Sequence, residues 1–248
     1  MQEVQSRMVT LLEETESPSL FTDVMFELDS IPETLEKFEK KALSMLDLLQ
    51  PNELYRLFYF LARNKRAQSF HLISTIKTKL MSRPIHFDKT KLRNLFFACS
   101  VLKVYDERLL TAMSENLLDT LLNDVFQDQQ SIALPVLMSC VKLGWNHENL
   151  TSLLMKMVET VSTELRPTDR LALLNGIGRL KLKESEKLVK VLMADMTKMK
   201  DSNPDLHLQI VKAFTIMRQA DAKTVQGVLE KQFYKPLIDS LKGKNKAF

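Results

Sequence analysis

The chain has 248 residues, 45% of them hydrophobic and 27% charged, with a net charge of +4. Five glycines and eight prolines in a Leu- and Met-rich chain favour helices over sheets, and two cysteines do not make a disulfide framework. No run of about 18 uncharged apolar residues occurs, so the sequence holds no membrane-spanning helix.

Taken in order, residues 1–17 read as a weak amphipathic helix, a cap or the remnant of a preceding unit. The acid-rich start is unlike a transit or signal peptide, so any targeting segment of a parent protein is expected to lie outside this chain. Ser17-Pro18-Ser19 opens a short helix, Leu20–Leu28, and Ser30-Ile31-Pro32 turns into Glu33–Leu49. Pro51 or Asn52 opens Glu53–Arg63, and Phe70–Met81 follows as its partner, ended by Arg83-Pro84. Asp88 is the expected cap of a helix carrying Leu92, Leu95, Phe96, Cys99 and Leu102 on one stripe. After a turn at Tyr105–Asp106 comes Leu109–Val125, with Leu117, Leu118, Leu121 and Leu122 expected inward. Ser131 starts the next helix, with Pro135 near enough to its first turn to be tolerated. Asn149–Leu165 follows, and Arg166-Pro167-Thr168 opens a helix containing Gly176 and Gly178. Ser185–Met199, a helix opening at Asp201–Pro204, Thr224–Tyr234 and Leu237–Leu241 complete the reading, with 242–248 a frayed tail.

These helices repeat. Ala62, Ser100, Cys140, Gly178 and Phe214 align at separations of 38, 40, 38 and 36 residues. Each copy has a polar start, an apolar helix, a polar turn and a second apolar helix. Self-similarity at that period predicts an all-α fold: an α-solenoid of about five to six helix-pair repeats of ~38 residues, HEAT- or octotricopeptide-like, over residues 18–241.

Charge is segmented. Residues 1–55 carry net −8, 56–103 net +10, 104–164 net −6 and 165–248 net +8. The +10 block holds eleven cations against one acid, Asp88. Lys65, Lys103 and Lys181 recur in register at the end of each first helix. A cation there stabilises the helix dipole by about 0.3–1 kcal/mol without any ligand. Repeated along an array, it also makes a basic ridge suited to a phosphate backbone. The residues expected to contact phosphates are Lys65, Arg66, Lys89, Lys91, Arg93 and Lys103, with Arg63, Arg179 and Lys181 extending the ridge. Tyr55, Phe58, Tyr59, Phe60, Phe70, Phe96 and Phe97 interleave with these cations. At helical spacing only one of Tyr59/Phe60 and one of Phe96/Phe97 points fully inward.

Catalytic signatures are missing. His71, His86, His147 and His207 are isolated, and the two cysteines have no histidine nearby, so no metal site or thiol nucleophile is expected. Cys99 and Cys140 read as core thiols. Gly176-x-Gly178 lacks a third glycine and a preceding strand, which argues for close helix packing rather than a phosphate loop. Trp145, after Gly144, reads as a packing anchor. No cofactor is expected, and the chain reads as a binding module rather than an enzyme.

From Pro51 to Val125 the sequence resembles the helical region of the FAST kinase-domain family of mitochondrial RNA-handling proteins. The resemblance rests on Pro51-Asn52-Glu53-Leu54 opening a helix, Leu72-Ile73 in its partner, the Arg83-Pro84 break and the Leu92–Val104 helix ending Leu-Lys-Val. The Ala133–Trp145 unit and Val228-Leu229 with Phe233 are compatible with it. The resemblance implies a stack of helix pairs in the mitochondrial matrix that acts in transcript processing, stability or translation, binding single-stranded RNA. It further implies protein partners in RNA granules and a C-terminal RAP domain in the parent chain, a module this sequence lacks. The alternative is a scaffolding α-solenoid whose basic block docks an acidic protein or another copy.

Overall fold

The computed structural model describes residues 2–27, 34–82, 87–123, 130–160, 165–182, 186–194 and 204–217, together with Lys235. Among them every regular element is an α-helix: α1 (Gln2–Glu14), α2 (Pro18–Glu27), α3 (Thr34–Met45), α4 (Pro51–Arg63), α5 (Phe70–Met81), α6 (Lys89–Leu102), α7 (Glu107–Asn123), α8 (Gln130–Leu143), α9 (Glu148–Glu159), α10 (Pro167–Leu180), α11 (Glu186–Ala194) and α12 (Pro204–Ile216). None is long and apolar enough to cross a membrane. The segments expected at Thr224–Tyr234 and Leu237–Leu241, the tail, and Arg83 with His86 lie outside the described residues.

Local chemistry sets most boundaries. Pro51 occupies the first turn of α4, and the Gln50 backbone N–H donates to the Glu53 carboxylate at 2.7 Å. Asp88 caps α6 by accepting from the Lys91 N–H at 2.9 Å. The helix expected from Leu109 begins two residues earlier, because Asp106 accepts from the Leu109 N–H at 3.2 Å and so organises a turn before it. His147 takes an ordinary structural role, its Nδ1 accepting from the Leu150 N–H at the start of α9. That helix stops at Glu159, short of the expected Leu165. On α7, Leu117 and Leu121 are buried as expected and Leu118 is half-buried. Leu122 is 66% exposed, because one step past an inward residue turns a side chain about 100° away from the core.

The chain divides into two compact units, Met1–Gln127 and Asp128–Phe248. In the first, α2, α4 and α6 pack side by side in one row, and α1, α3, α5 and α7 in another. Phe21 stacks on Phe38 at 5.3 Å between centroids, and Phe38 meets Phe60 at 4.9 Å, so one aromatic column ties α2, α3 and α4. In the second unit, α8, α10 and α12 form one row, and α9 packs with α11. A Cβ at Gly176 would overlap the Val141 side chain of α8, and one at Gly178 would overlap Ile216 of α12. The two glycines therefore let α10 approach both neighbours, the close packing expected of them.

A backbone motif recurs at the ends of α4, α6, α8 and α10. The N–H groups of Arg66, Val104, Trp145 and Leu182 donate to the carbonyls of Leu61, Cys99, Cys140 and Ile177 at 2.9, 2.9, 2.9 and 3.1 Å. This is the six-to-one bond of a Schellman ending, and it encloses a residue in the left-handed conformation. That residue is Lys65, Lys103, Gly144 or Lys181, with φ of 53°, 55°, 75° and 51°. The accepting carbonyls are 38, 41 and 37 residues apart. The counterpart of Cys140 is therefore Cys99, not the expected Ser100, because the third copy reaches its turn one residue later than side-chain pattern implies. Both thiols are buried, and burial, reinforced by the Asp106 charge, pushes Cys99 up to about 12. Trp145 is buried just past Gly144, as an anchor should be.

The charge segments meet in the first unit. Arg56 pairs with Asp23 at 2.6 Å, Arg66 with Glu39 at 2.8 Å, Lys79 with Asp47 at 2.6 Å and Lys77 with Asp106 at 2.9 Å. Each pair joins the basic block to an acid of a flanking acidic segment. The hydrogen bond from Lys77 outweighs burial and holds Asp106 below its usual 3.8, with backbone N–H groups adding to the effect. A carboxylate depressed in the folded state contributes stability above its unfolded pKa and loses it as pH falls through the folded value. Asp106→Asn, which keeps a capping oxygen but no charge, is expected to lower stability by about 1 kcal/mol at pH 7. Thermal melts of variant and wild type should draw together as the pH falls below 3.8.

Candidate nucleic-acid interface

Helices α4 and α6 build the surface that carries most of the predicted contacts. Asn94 donates from Nδ2 to Tyr55 Oη at 2.8 Å, and Tyr59 meets Phe97 edge-on at 6.0 Å. Both contacts advance in the same direction along the two helices, so α4 and α6 run parallel. Their C-terminal ends therefore lie together, and Lys65 is the neighbour of Lys103.

This arrangement sorts the predicted cations of the first unit into two groups. Arg63, Lys65 and Lys103 stand exposed at the C-terminal ends of α4 and α6. Lys89, Lys91 and Arg93 lie at the opposite end of α6, about 20 Å away at the helical rise of its 14 residues. Arg66 is close to Lys65 in sequence, but its guanidinium is held by Glu39, which also accepts from the Ser69 hydroxyl at 2.6 Å. In the second unit Arg179 and Lys181 are exposed at the C-terminal end of α10. Lys65, Lys103 and Lys181 have no acidic partner among the described residues.

The left-handed conformation of those three lysines carries weight. It is disfavoured by about 1 kcal/mol for a residue with a Cβ, and glycine fills the same position in the third copy. Helix-dipole stabilisation at an exposed, salt-screened end offsets only part of that. Exposed rings accompany this end of the first unit: Phe70, opening α5, is 76% exposed and Tyr105, two residues past Lys103, is 59% exposed.

The other end of the α4–α6 seam holds a ladder of rings. Tyr55 lies 5.7 Å from Phe87 and 6.2 Å from Tyr59, nearly parallel to the latter at 6°. Phe60 and Phe96 are the inward members of their pairs; Tyr59 is half-buried and Phe97 is 37% exposed. Burial pushes the Tyr55 hydroxyl up against the opposing hydrogen bond from Asn94, so it stays protonated at neutral pH. Asn52, Tyr55, Arg56, Tyr59 and Lys91 line an open groove of about 530 Å³. Arg93 donates from Nε and Nη2 to Asn94 Oδ1 at 3.2 Å each, which fixes the Asn94 amide that holds Tyr55. Sequence reading named these tyrosines only among the aromatics. Their i, i+4 spacing beside Arg56 was the available signal, since it puts both rings on one helix face.

The chain matches no protein-family model and no curated protein. Its chemistry is therefore read from the surface itself. Of the eleven cations in the basic block, Arg56, Arg66, Lys77, Lys79 and Lys91 already face carboxylates, the last at 3.3 Å from Asp88. Among the described residues Lys65 and Lys103, at the helix ends, face no carboxylate, and Lys91 borders the tyrosine groove.

Proposed function

We propose that the chain is a non-catalytic, RNA-binding module built as an α-solenoid of helix-pair repeats, with single-stranded RNA held along basic helix ends. The observation that carries this reading is the lysine in a left-handed conformation at three of four equivalent helix endings, where glycine is the stable choice. Retaining lysine at such a position makes sense if its ammonium is used, and a repeated exposed cation suits a repeated phosphate. The recurrence of the Schellman ending at 38, 41 and 37 residues supports the solenoid. Lys65, Lys103, Arg63, Arg179 and Lys181 supply phosphate contacts, while Lys89, Lys91 and Arg93 form a second cluster. Resemblance to the helical region of the FAST kinase-domain family extends the proposal to mitochondrial transcripts and to a role in the matrix in their processing, stability or translation.

The reading separates stability from binding. Lys103→Gly removes a strained backbone and is expected to stabilise the chain by about 0.5–1 kcal/mol, net of the lost dipole interaction. The same change is expected to weaken RNA binding and to reduce its salt slope by about 0.7. A melt and a salt titration on one preparation check both. A variant that gains stability and binds RNA as wild type does would show that the lysine is no ligand.

A further inference from the structure

We propose that the groove between α4 and α6 seats one nucleobase of the bound RNA, stacked on Tyr59, with an adjoining phosphate on Lys91. This deepens the RNA-binding reading and rests on it. The helix-end lysines supply charge without base contacts, whereas this groove supplies what they lack. Its volume of about 530 Å³ falls within the range of about 300–1,000 Å³ common to small-molecule clefts. The Tyr59 ring is held by two neighbours, Tyr55 nearly parallel to it at 6.2 Å and Phe97 steeply inclined to it at 6.0 Å. A ring held in that way stacks on a base without first being ordered, and any of the four bases offers a π-face.

The groove's polar groups fit the same occupant. Asn52, exposed among the lining residues, carries an amide with both donors and an acceptor for a base edge. Lys91 has three N–H donors, of which the 3.3 Å contact to Asp88 engages one. Arg56 is not assigned to the ligand, because it is committed to Asp23 and to the Thr22 hydroxyl at 3.1 Å. The Lys91 ammonium on the rim, beside the Asn52 amide and a tyrosine ladder, favours an anion with a flat ring over an apolar peptide.

The test uses the full chain and a ~20-nucleotide oligouridine, with affinity read by fluorescence anisotropy across salt. Tyr59→Leu retains apolar contact with Tyr55 but has no flat face, and is expected to weaken binding roughly 5- to 150-fold with the salt slope unchanged. Tyr59→Phe keeps the ring and is expected to bind within about twofold of wild type. Lys91→Gln is expected to lower the slope by about 0.7. Photocrosslinking of the wild-type chain to RNA carrying 4-thiouridine gives an independent reading that needs no variant. An adduct on the tryptic peptide 57–63 is expected. Wild-type affinity in Tyr59→Leu, or adducts that avoid 57–63, overturns the groove while leaving RNA binding at the helix ends in place. Failure of the wild-type chain to bind at low salt overturns both.

Discussion

Gly176→Leu is expected to unfold the second unit at denaturant concentrations where wild type remains native. Even a Cβ at this position meets Val141, whose own Cβ would lie 2.7 Å away, so no rotation of the valine clears the space. Helices α8 and α10 must then separate, and the apolar row of α8, α10 and α12 opens with them. Overpacking a native core costs typically 1–3 kcal/mol, and four added carbons against a neighbouring helix put this variant at about 3 kcal/mol or more. Gly176→Ala gains about 1 kcal/mol of helix propensity against the same clash, so its net loss is smaller, about 1–2 kcal/mol. Val141→Ala removes both γ-carbons and is expected to recover part of that loss, which a double-mutant cycle measures. The single tryptophan, Trp145, sits in the second unit next to the end of α8, so its fluorescence reports this transition without the first unit. Unchanged unfolding in Gly176→Leu would mean that α8 and α10 do not approach as described.

The second large effect falls on binding. Lys65→Glu with Lys103→Glu converts two neighbouring cations on parallel helices into anions. If both contact phosphates, affinity for single-stranded RNA is expected to fall more than about tenfold, and the salt slope to flatten by about 1.4. The fold should tolerate the change, because both side chains are exposed and acids at helix C-termini cost about 0.3–1 kcal/mol each. A matching pair at half-buried, ion-paired cations, Lys77→Gln with Lys79→Gln, serves as the contrast. It breaks the links to Asp106 and Asp47 and is expected to affect stability more than RNA affinity.

Much of the helical framework was legible because its signals are local. Pro51 inside a first turn, Asp88 before an apolar stripe, and Phe70–Met81 as a complete amphipathic helix depend on neighbours within a few residues. Gly176 and Gly178 were readable as packing glycines because nothing else about them fits a phosphate loop. The repeat was visible, but its register was not fixed by side chains. The Schellman bond to Cys99 and Cys140 corrects it by one residue, and only Gly144 among the four endings announces a left-handed turn in the sequence.

The candidate interface was less legible, because charge partners come from distant segments. Asp23, Glu39 and Asp47 belong to the acidic N-terminal stretch, yet they reach Arg56, Arg66 and Lys79 some 30 residues on. A block that looks unpaired in one dimension is partly neutralised once successive helices stack. Likewise Lys89 and Lys103 are close in sequence number but stand at opposite ends of α6. Helix ends, rather than sequence proximity, decide which cations act together.

The central claim is that these helix ends hold RNA, and binding of a ~20-nucleotide single strand to the wild-type chain at about 50 and 200 mM salt tests it most directly. With about five phosphates neutralised, affinity should drop on the order of a hundredfold between the two conditions. No binding at the lower salt, with light scattering that shows salt-dependent self-association instead, would contradict the claim and leave the chain a scaffold.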